Sequence, residues 1–251
     1  FLYLFGNNTA FIFFISIVSI ASFYEWALIS SKHIIFLPTF VIFNSLLYYF
    51  DFVNIYYLSI FTLLVWIVLI CSMMLFSNQL KTVIRKYYIT IGLFIFSSFF
   101  LLSINMYPYD ATMTSDGNLI DNKHYFLFFI ILISSIDIFA YIFGKAFGKN
   151  KIIPSISPNK TLEGYLGGFS LTILFFILLF NMNNIIWTYL DLFYLTVIIF
   201  LAFFGDLFMS FIKRMYDIKN TSNILPGHGG ILDRLDSYFP TLPLFYLWLM
   251  M

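Results

Sequence analysis

Asp206, inside the apolar run "FFGDLFMSFIKR", and Asp233, in "LPGHGGILDRLDS", stand where this chain can least accommodate charge. Charged residues make up only 10% of the sequence, and burying one beside lipid is costly unless a partner or a ligand compensates it. Asp206, Ser210 and Lys213 fall at i, i+4 and i+7, so they share one face of a helix. The segment that follows adds Arg214, Lys219, His228, Gly229, Gly230, Asp233 and Arg234. Two carboxylates are what a hard divalent cation requires, while lysines, an arginine and glycine-freed backbone amides are what a polyphosphate requires. The chemistry this pattern suits is that of a metal-bound nucleotide.

Two other clusters carry polar groups. In "SSIDIFAYIFGKAFGK", Asp137, Tyr141, Lys145 and Lys149 recur every four residues along one helix face, with Asp137 about two turns inside the apolar run. Lys145 and Lys149 are read equally well as basic anchors at a membrane surface. An acid within a span is by default functional or paired. In "SPNKTLEGYLGG", Ser157 and Pro158 suit a helix start, with the hydroxyl as cap and proline in the first turn. Lys160 and Thr161 beside that helix end also suit a phosphate. Gly144 and Gly148, like Gly164 and Gly168, are four apart and fit close helix packing.

The elements that must position these groups are set by composition. The chain has 251 residues, 61% of them hydrophobic and 35 of them Phe, with a mean hydropathy of +0.93. No soluble core of this size hides so much apolar surface, so the fold class is an all-α polytopic integral membrane protein. Apolar runs predict about eight transmembrane helices, near 9–30, 34–50, 54–76, 87–107, 124–144, 163–183, 189–212 and 238–251, the second and last being short. Residue 1 is Phe and "FLYLFG" reads as the tail of an apolar run, so an additional N-terminal helix is expected ahead of it. The whole of 1–251 reads as one membrane domain, with its chemistry concentrated in 206–237.

Basic residues are retained on the cytoplasmic side of a membrane. All 13 except Lys123 fall on alternate loops, at 31–33, 77–86, 145–162 and 213–237. Those loops are expected to be cytoplasmic, and 108–123, with Asp110, Asp116 and Asp121, is expected on the other face. A net charge of +1 offers no general polyanion surface, so no nucleic-acid partner is expected. The single cysteine, Cys71, excludes a disulfide framework and a cysteine-based metal site.

From Ser210 to Asp236 the sequence resembles the signature of the phosphatidate cytidylyltransferase, or CDP-diacylglycerol synthase, family. Ser210, Lys213, Arg214, Lys219, Ser222, His228, Gly229, Gly230, Asp233, Arg234 and Asp236 match it. "SPNKTLEG" resembles the family's "SPKKTWEG", "DIFAYIFGKAFGK" its preceding helix and "YEWALI" its early "WEWARL", so the resemblance covers nearly the whole chain. Two positions depart: Asn220 replaces an aspartate, and Met209 replaces the glutamate of many members.

The resemblance implies transfer of a cytidylyl group from CTP to phosphatidate, giving CDP-diacylglycerol and pyrophosphate; the basic loops put the site at the cytoplasmic helix ends, and the abundance of Phe, Ile, Asn, Lys and Tyr points to a bacterial source, hence an inner-membrane protein. It implies Mg²⁺, alone or with a second cation, held by Asp206 and Asp233 with Asp137 as a third ligand, and it suggests a homodimer. Lys213, Arg214, Lys219 and Arg234 would bind triphosphate, with Ser210 beside them and the amides of Gly229 and Gly230 approaching phosphate oxygens. Ser157, Lys160 and Thr161 would take either the lipid phosphate or those of CTP. His228 would donate to a phosphate or serve the turn. Two other readings stay open: a CTP-dependent lipid kinase, which would release CDP, and a transporter of an anionic metabolite.

Overall fold

A computed structural model describes residues 8–30, 34–50, 53–106, 112–113, 119–120, 123–182, 187–222, 224 and 229–251. The chain is nearly all helix: α1 (Asn8–Ile29), a 3-10 turn (Ile34–Phe36), α2 (Leu37–Phe50), α3 (Ile55–Leu75), α4 (Ser77–Met106), α5 (Lys123–Phe147), α6 (Leu162–Met182), α7 (Tyr189–Met215), the single turn α8 (Leu232–Leu235) and α9 (Tyr238–Leu249). Two antiparallel two-residue strands, β1 (Thr112–Met113) and β2 (Leu119–Ile120), lie between α4 and α5.

Among the described residues six helices, α1, α3, α4, α5, α6 and α7, are long and apolar enough to cross a membrane. The two short expected spans are helices of 14 residues (α2) and 12 residues (α9). At 1.5 Å per residue α9 rises only about 18 Å, short of a hydrocarbon layer of about 30 Å. It is instead the packing centre: Phe239, Leu242, Leu244 and Phe245 are buried, and α9 meets α3, α4 and α7.

The expected loop at 77–86 is helical. Leu80, Ile84 and Tyr88 repeat at i, i+4, i+8 and are buried, so the stretch has an apolar stripe and docks as an amphipathic segment of nearly three turns ahead of the span. The expected span boundary at 87 survives as a kink, where Tyr87 leaves helical geometry (φ −111°, ψ 26°). Basic groups gather at this end of the bundle: Arg85 donates to the carbonyl of Met215 (3.4 Å), and Lys81 lies over the Phe211 ring.

α1 and α4 are clasped by aromatic contacts. The Trp26 and Tyr88 rings stack at 4.5 Å; Trp26 Nε1 donates to the Tyr88 carbonyl (3.2 Å), and Tyr88 Oη donates to that of Trp26 (2.8 Å). α5 and α6 form the tightest pair. A Cβ on Gly164 would lie 2.8 Å from the Ala140 carbonyl oxygen and 2.9 Å from Gly144 Cα, and one on Gly168 would lie 2.9 Å from Ala140 Cα. The small-residue spacing thus serves backbone contact, as glycine pairs do in membrane helices.

Candidate active site

α7 ends in a Schellman turn. Ile218 N donates to Lys213 O (3.0 Å), Asp217 N donates to Arg214 O (3.2 Å), and Asp217 takes the left-handed conformation at φ 56°. This reversal returns the chain toward α7 and lets Asp233 meet Lys213, whose Nζ donates to Asp233 Oδ1 at 2.8 Å. Asp233 Oδ2 accepts from the Thr221 and Gly230 amides, each at 3.0 Å, and lies 3.0 Å from the Thr221 hydroxyl. Burial would push the Asp233 carboxyl up, but the Lys213 hydrogen bond and the two amides outweigh it and hold the group below the usual aspartate range.

Two turns before Lys213 on the same helix, Asp206 pairs with Lys160 and accepts weakly from Ser210 Oγ (3.4 Å). Lys160 Nζ also lies over the Phe203 ring at 5.1 Å. Its position is fixed by the folded loop between α5 and α6. Lys151 and Thr161 form an antiparallel bridge, and Glu163 accepts from the amides of Lys149 (3.0 Å) and Asn150 (3.1 Å). Those bonds, with turns at 154–156 and 158–159, keep the chain out of helix up to residue 161. The helix therefore starts at Leu162 rather than at Ser157–Pro158, and Thr161 acts as its cap by accepting from Gly164 N (3.2 Å).

These groups line one cavity of about 770 Å³ between α5–α6 and α7–α8. Asp137, Tyr141 and Lys145 enter from α5, Ser157, Lys160 and Thr161 from the loop, Asp206 and Lys213 from α7, and Asp233, Arg234 and Asp236 from around α8. The remaining wall is apolar, with Ile136, Ile138, Ala140 and Phe203. The buried hydroxyl of Tyr165, also on the wall, has no hydrogen-bond partner among the described residues.

The other expected site residues are placed differently. Arg214 is exposed and donates to the backbone carbonyls of Ile156 (3.3 Å) and Ile218 (3.1 Å). Lys219 is exposed and outside the cavity lining. Ser210 lies behind Asp206 as its hydrogen-bond donor. Gly230 gives its amide to Asp233 rather than leaving it open for a phosphate. Gly229 holds φ +85°, a conformation that favours glycine, and a Cβ there would lie 2.9 Å from Asp233 Oδ2. His228 lies outside the described residues. Of the two departures, Met209 is buried at 2% exposure in the core, where an apolar side chain suits, and Asn220 is exposed.

Sequence reasoning gave no role to two acids that the structure brings forward. Asp236 is buried among the other acids of the cavity. Burial, then the Asp206 and Asp137 carboxylates, push its carboxyl well above the ordinary aspartate value, against the pull of Lys160 and Lys213. Its spacing of three from Asp233 puts both on one face of a helical turn, a legible clue. Glu25 of α1, fully buried, has its partners at the far end of the chain, and no local spacing marks it.

Among the described residues no three Asp, Glu, His or Cys side chains are close enough to hold an ion between them as placed. The donor chemistry nonetheless suits one. Asp137, Asp206, Asp233 and Asp236 face one cavity, all with oxygen donors of the kind a hard cation takes.

A family model described as "Cytidylyltransferase family" matches residues 1–251. The chain is 44% identical over 132 residues to a phosphatidate cytidylyltransferase of Staphylococcus haemolyticus (strain JCSC1435), covering 49% of this chain and 48% of that one. It is 42% identical over 128 residues to a phosphatidate cytidylyltransferase of Bacillus subtilis (strain 168), covering 50% and 47%. The chain thus spans about half the length of the curated relatives it matches. With the family model matched from end to end, the chain belongs to the cytidylyltransferase family.

Proposed function

We propose that the chain catalyses CTP + phosphatidate → CDP-diacylglycerol + pyrophosphate. The observation that carries this reading is a single cavity at the basic end of the helices, in which four acids and the cations Lys145, Lys160, Lys213 and Arg234 meet beside an apolar wall. A substrate with a charged head and acyl chains, met by a polyanionic nucleotide from water, suits such a cavity. The basic loops support a cytoplasmic orientation in a bacterial inner membrane.

In the reaction, a phosphate oxygen of phosphatidate attacks the α-phosphorus of CTP as the bond to the bridging oxygen breaks and pyrophosphate leaves. Both reactants are anions, so the work is charge neutralisation and in-line alignment. Mg²⁺ held by Asp206 and Asp233, with Asp137 and Asp236 beside them, would supply a Lewis acid for phosphate oxygens. In this structure Lys160 and Lys213 neutralise Asp206 and Asp233. Substrate phosphates would draw those lysines away, freeing the carboxylates for the cation, so the cavity changes partners without gaining net uncompensated charge. Arg234 and Lys145 would add to triphosphate binding. Arg214 acts by tying the α5–α6 loop to the end of α7.

The test is incubation of the protein in detergent with CTP, phosphatidate and Mg²⁺, with CDP-diacylglycerol and pyrophosphate measured separately. Release of CDP in place of pyrophosphate would identify a lipid kinase instead.

A further inference from the structure

We infer that Glu25 is a positioning residue for the candidate site, an acid of α1 that seats the segment carrying Asp233. The inference rests on the proposed reaction only for its kinetic arm. Glu25 is 0% exposed, and its carboxylate accepts four hydrogen bonds, all from one segment. Oε1 takes Ser222 Oγ (2.7 Å) and the Ile231 amide (2.9 Å). Oε2 takes Thr221 Oγ1 (3.0 Å) and the Leu232 amide (2.7 Å).

The two amides open α8, whose own N-cap position, Ile231, makes no side-chain cap bond. Glu25 thus supplies from another helix the acceptor that local sequence lacks. Gly230 makes the approach possible, since a Cβ there would lie 2.4 Å from Glu25 Oε2 and 2.1 Å from Thr221 Oγ1. The other end of the strut is fixed too, because the neighbouring Trp26 is locked to Tyr88 of α4.

The link to the site runs through Thr221. Its hydroxyl lies 3.0 Å from Glu25 Oε2 and 3.0 Å from Asp233 Oδ2, and one hydroxyl proton serves one acceptor at a time. Thr221 can therefore give its proton to Glu25 while its amide stays on Asp233, keeping the segment seated when Asp233 changes partners. Glutamine at position 25 would turn one acceptor oxygen into a donor facing donors, breaking this seat with little change in volume.

The experiment compares the full chain with Glu25→Gln, Glu25→Asp and Ser222→Ala in the same detergent. Hydrogen–deuterium exchange without metal reads the Ile231 and Leu232 amides against those of α4. The Mg²⁺ concentration giving half-maximal CDP-diacylglycerol formation reads the site. In Glu25→Gln the two amides should exchange roughly tenfold faster or more, as expected on losing charge-assisted bonds, while α4 is unchanged. The half-saturating Mg²⁺ should rise about tenfold, with Glu25→Asp intermediate. A mere loss of folded protein would lower the rate and leave half-saturation where it was.

Unchanged exchange at 231 and 232 overturns the inference, and so does faster exchange with an unshifted Mg²⁺ requirement. If Glu25→Gln does not fold, Ser222→Ala, which removes one donor and leaves α1 intact, decides by the same two readouts at smaller amplitude. If the unmodified chain makes no CDP-diacylglycerol, the proposed reaction fails, and the exchange arm alone decides whether Glu25 seats the segment.

Discussion

Asp236 is a carboxyl group buried opposite others of its own sign, and that has a consequence for stability. A carboxyl whose proton is held more tightly in the fold than in the unfolded chain contributes fully below the ordinary aspartate range, about 4. That contribution is lost as pH rises through its folded value. With a chelator present, Asp236→Asn should therefore raise the thermal midpoint at pH 7 to 8, and the advantage should shrink as pH falls toward 4. Destabilisation at pH 8 would contradict this. Asp206→Asn and Asp233→Asn should each reduce CDP-diacylglycerol formation by roughly a hundredfold or more, the usual scale for a lost electrostatic contact in a preorganised site. Near-normal Mg²⁺-dependent turnover in either would remove that residue from the machinery. These two acids were legible because charge inside or beside an apolar run stands out without any knowledge of the fold. Glu25 stands in an apolar run as well, but its four partners lie 196 to 207 residues away, beyond any local pattern.

At the scale of elements, the end of α7 rests on an aspartate where glycine is the usual residue. Asp217 at φ 56° carries the Schellman turn that brings Asp233 back to Lys213. Asp217→Gly should stabilise the protein by up to about 1 kcal/mol, and Asp217→Val should destabilise it, since left-handed geometry disfavours a branched Cβ. Thermal midpoints in detergent check both. Gly164→Val forces side-chain atoms against the Ala140 carbonyl and Gly144 Cα. It should part α5 from α6, lowering the midpoint and greatly reducing activity; a variant as stable as the parent would show that the seam yields. Glycine spacing announced this seam. The expected span at 163–183 matches α6 at Leu162–Met182, but Ser157 and Pro158, which suit a helix start, do not open it, because Glu163 reaches back to Lys149 and Asn150. The helix at 77–86 was read as a loop because its lysines and arginine obscured an apolar stripe of Leu80 and Ile84.

For the whole molecule, hydropathy made the membrane class and the long helices plain, while length alone did not reveal that the last apolar run packs as the short central α9. Which side of the membrane each loop faces is tested by labelling. With Cys71 replaced by Ser, single cysteines at positions 117 and 222 should react with impermeant reagents from opposite sides, and same-side reaction would overturn the orientation and the assembled cavity together. The strut from α1 to the signature segment also bears on how the protein is made. Ribosomes add about 5 to 20 residues per second. The nearest of Glu25's donors in sequence, Thr221, is 196 residues downstream, so Glu25 waits for it for roughly 10 to 40 seconds. During that interval an acid destined for a dry interior has only water or the translocation machinery for company. α1 should therefore enter the bilayer early but settle to its final depth late, only once the segment from Thr221 to Leu232 has been made.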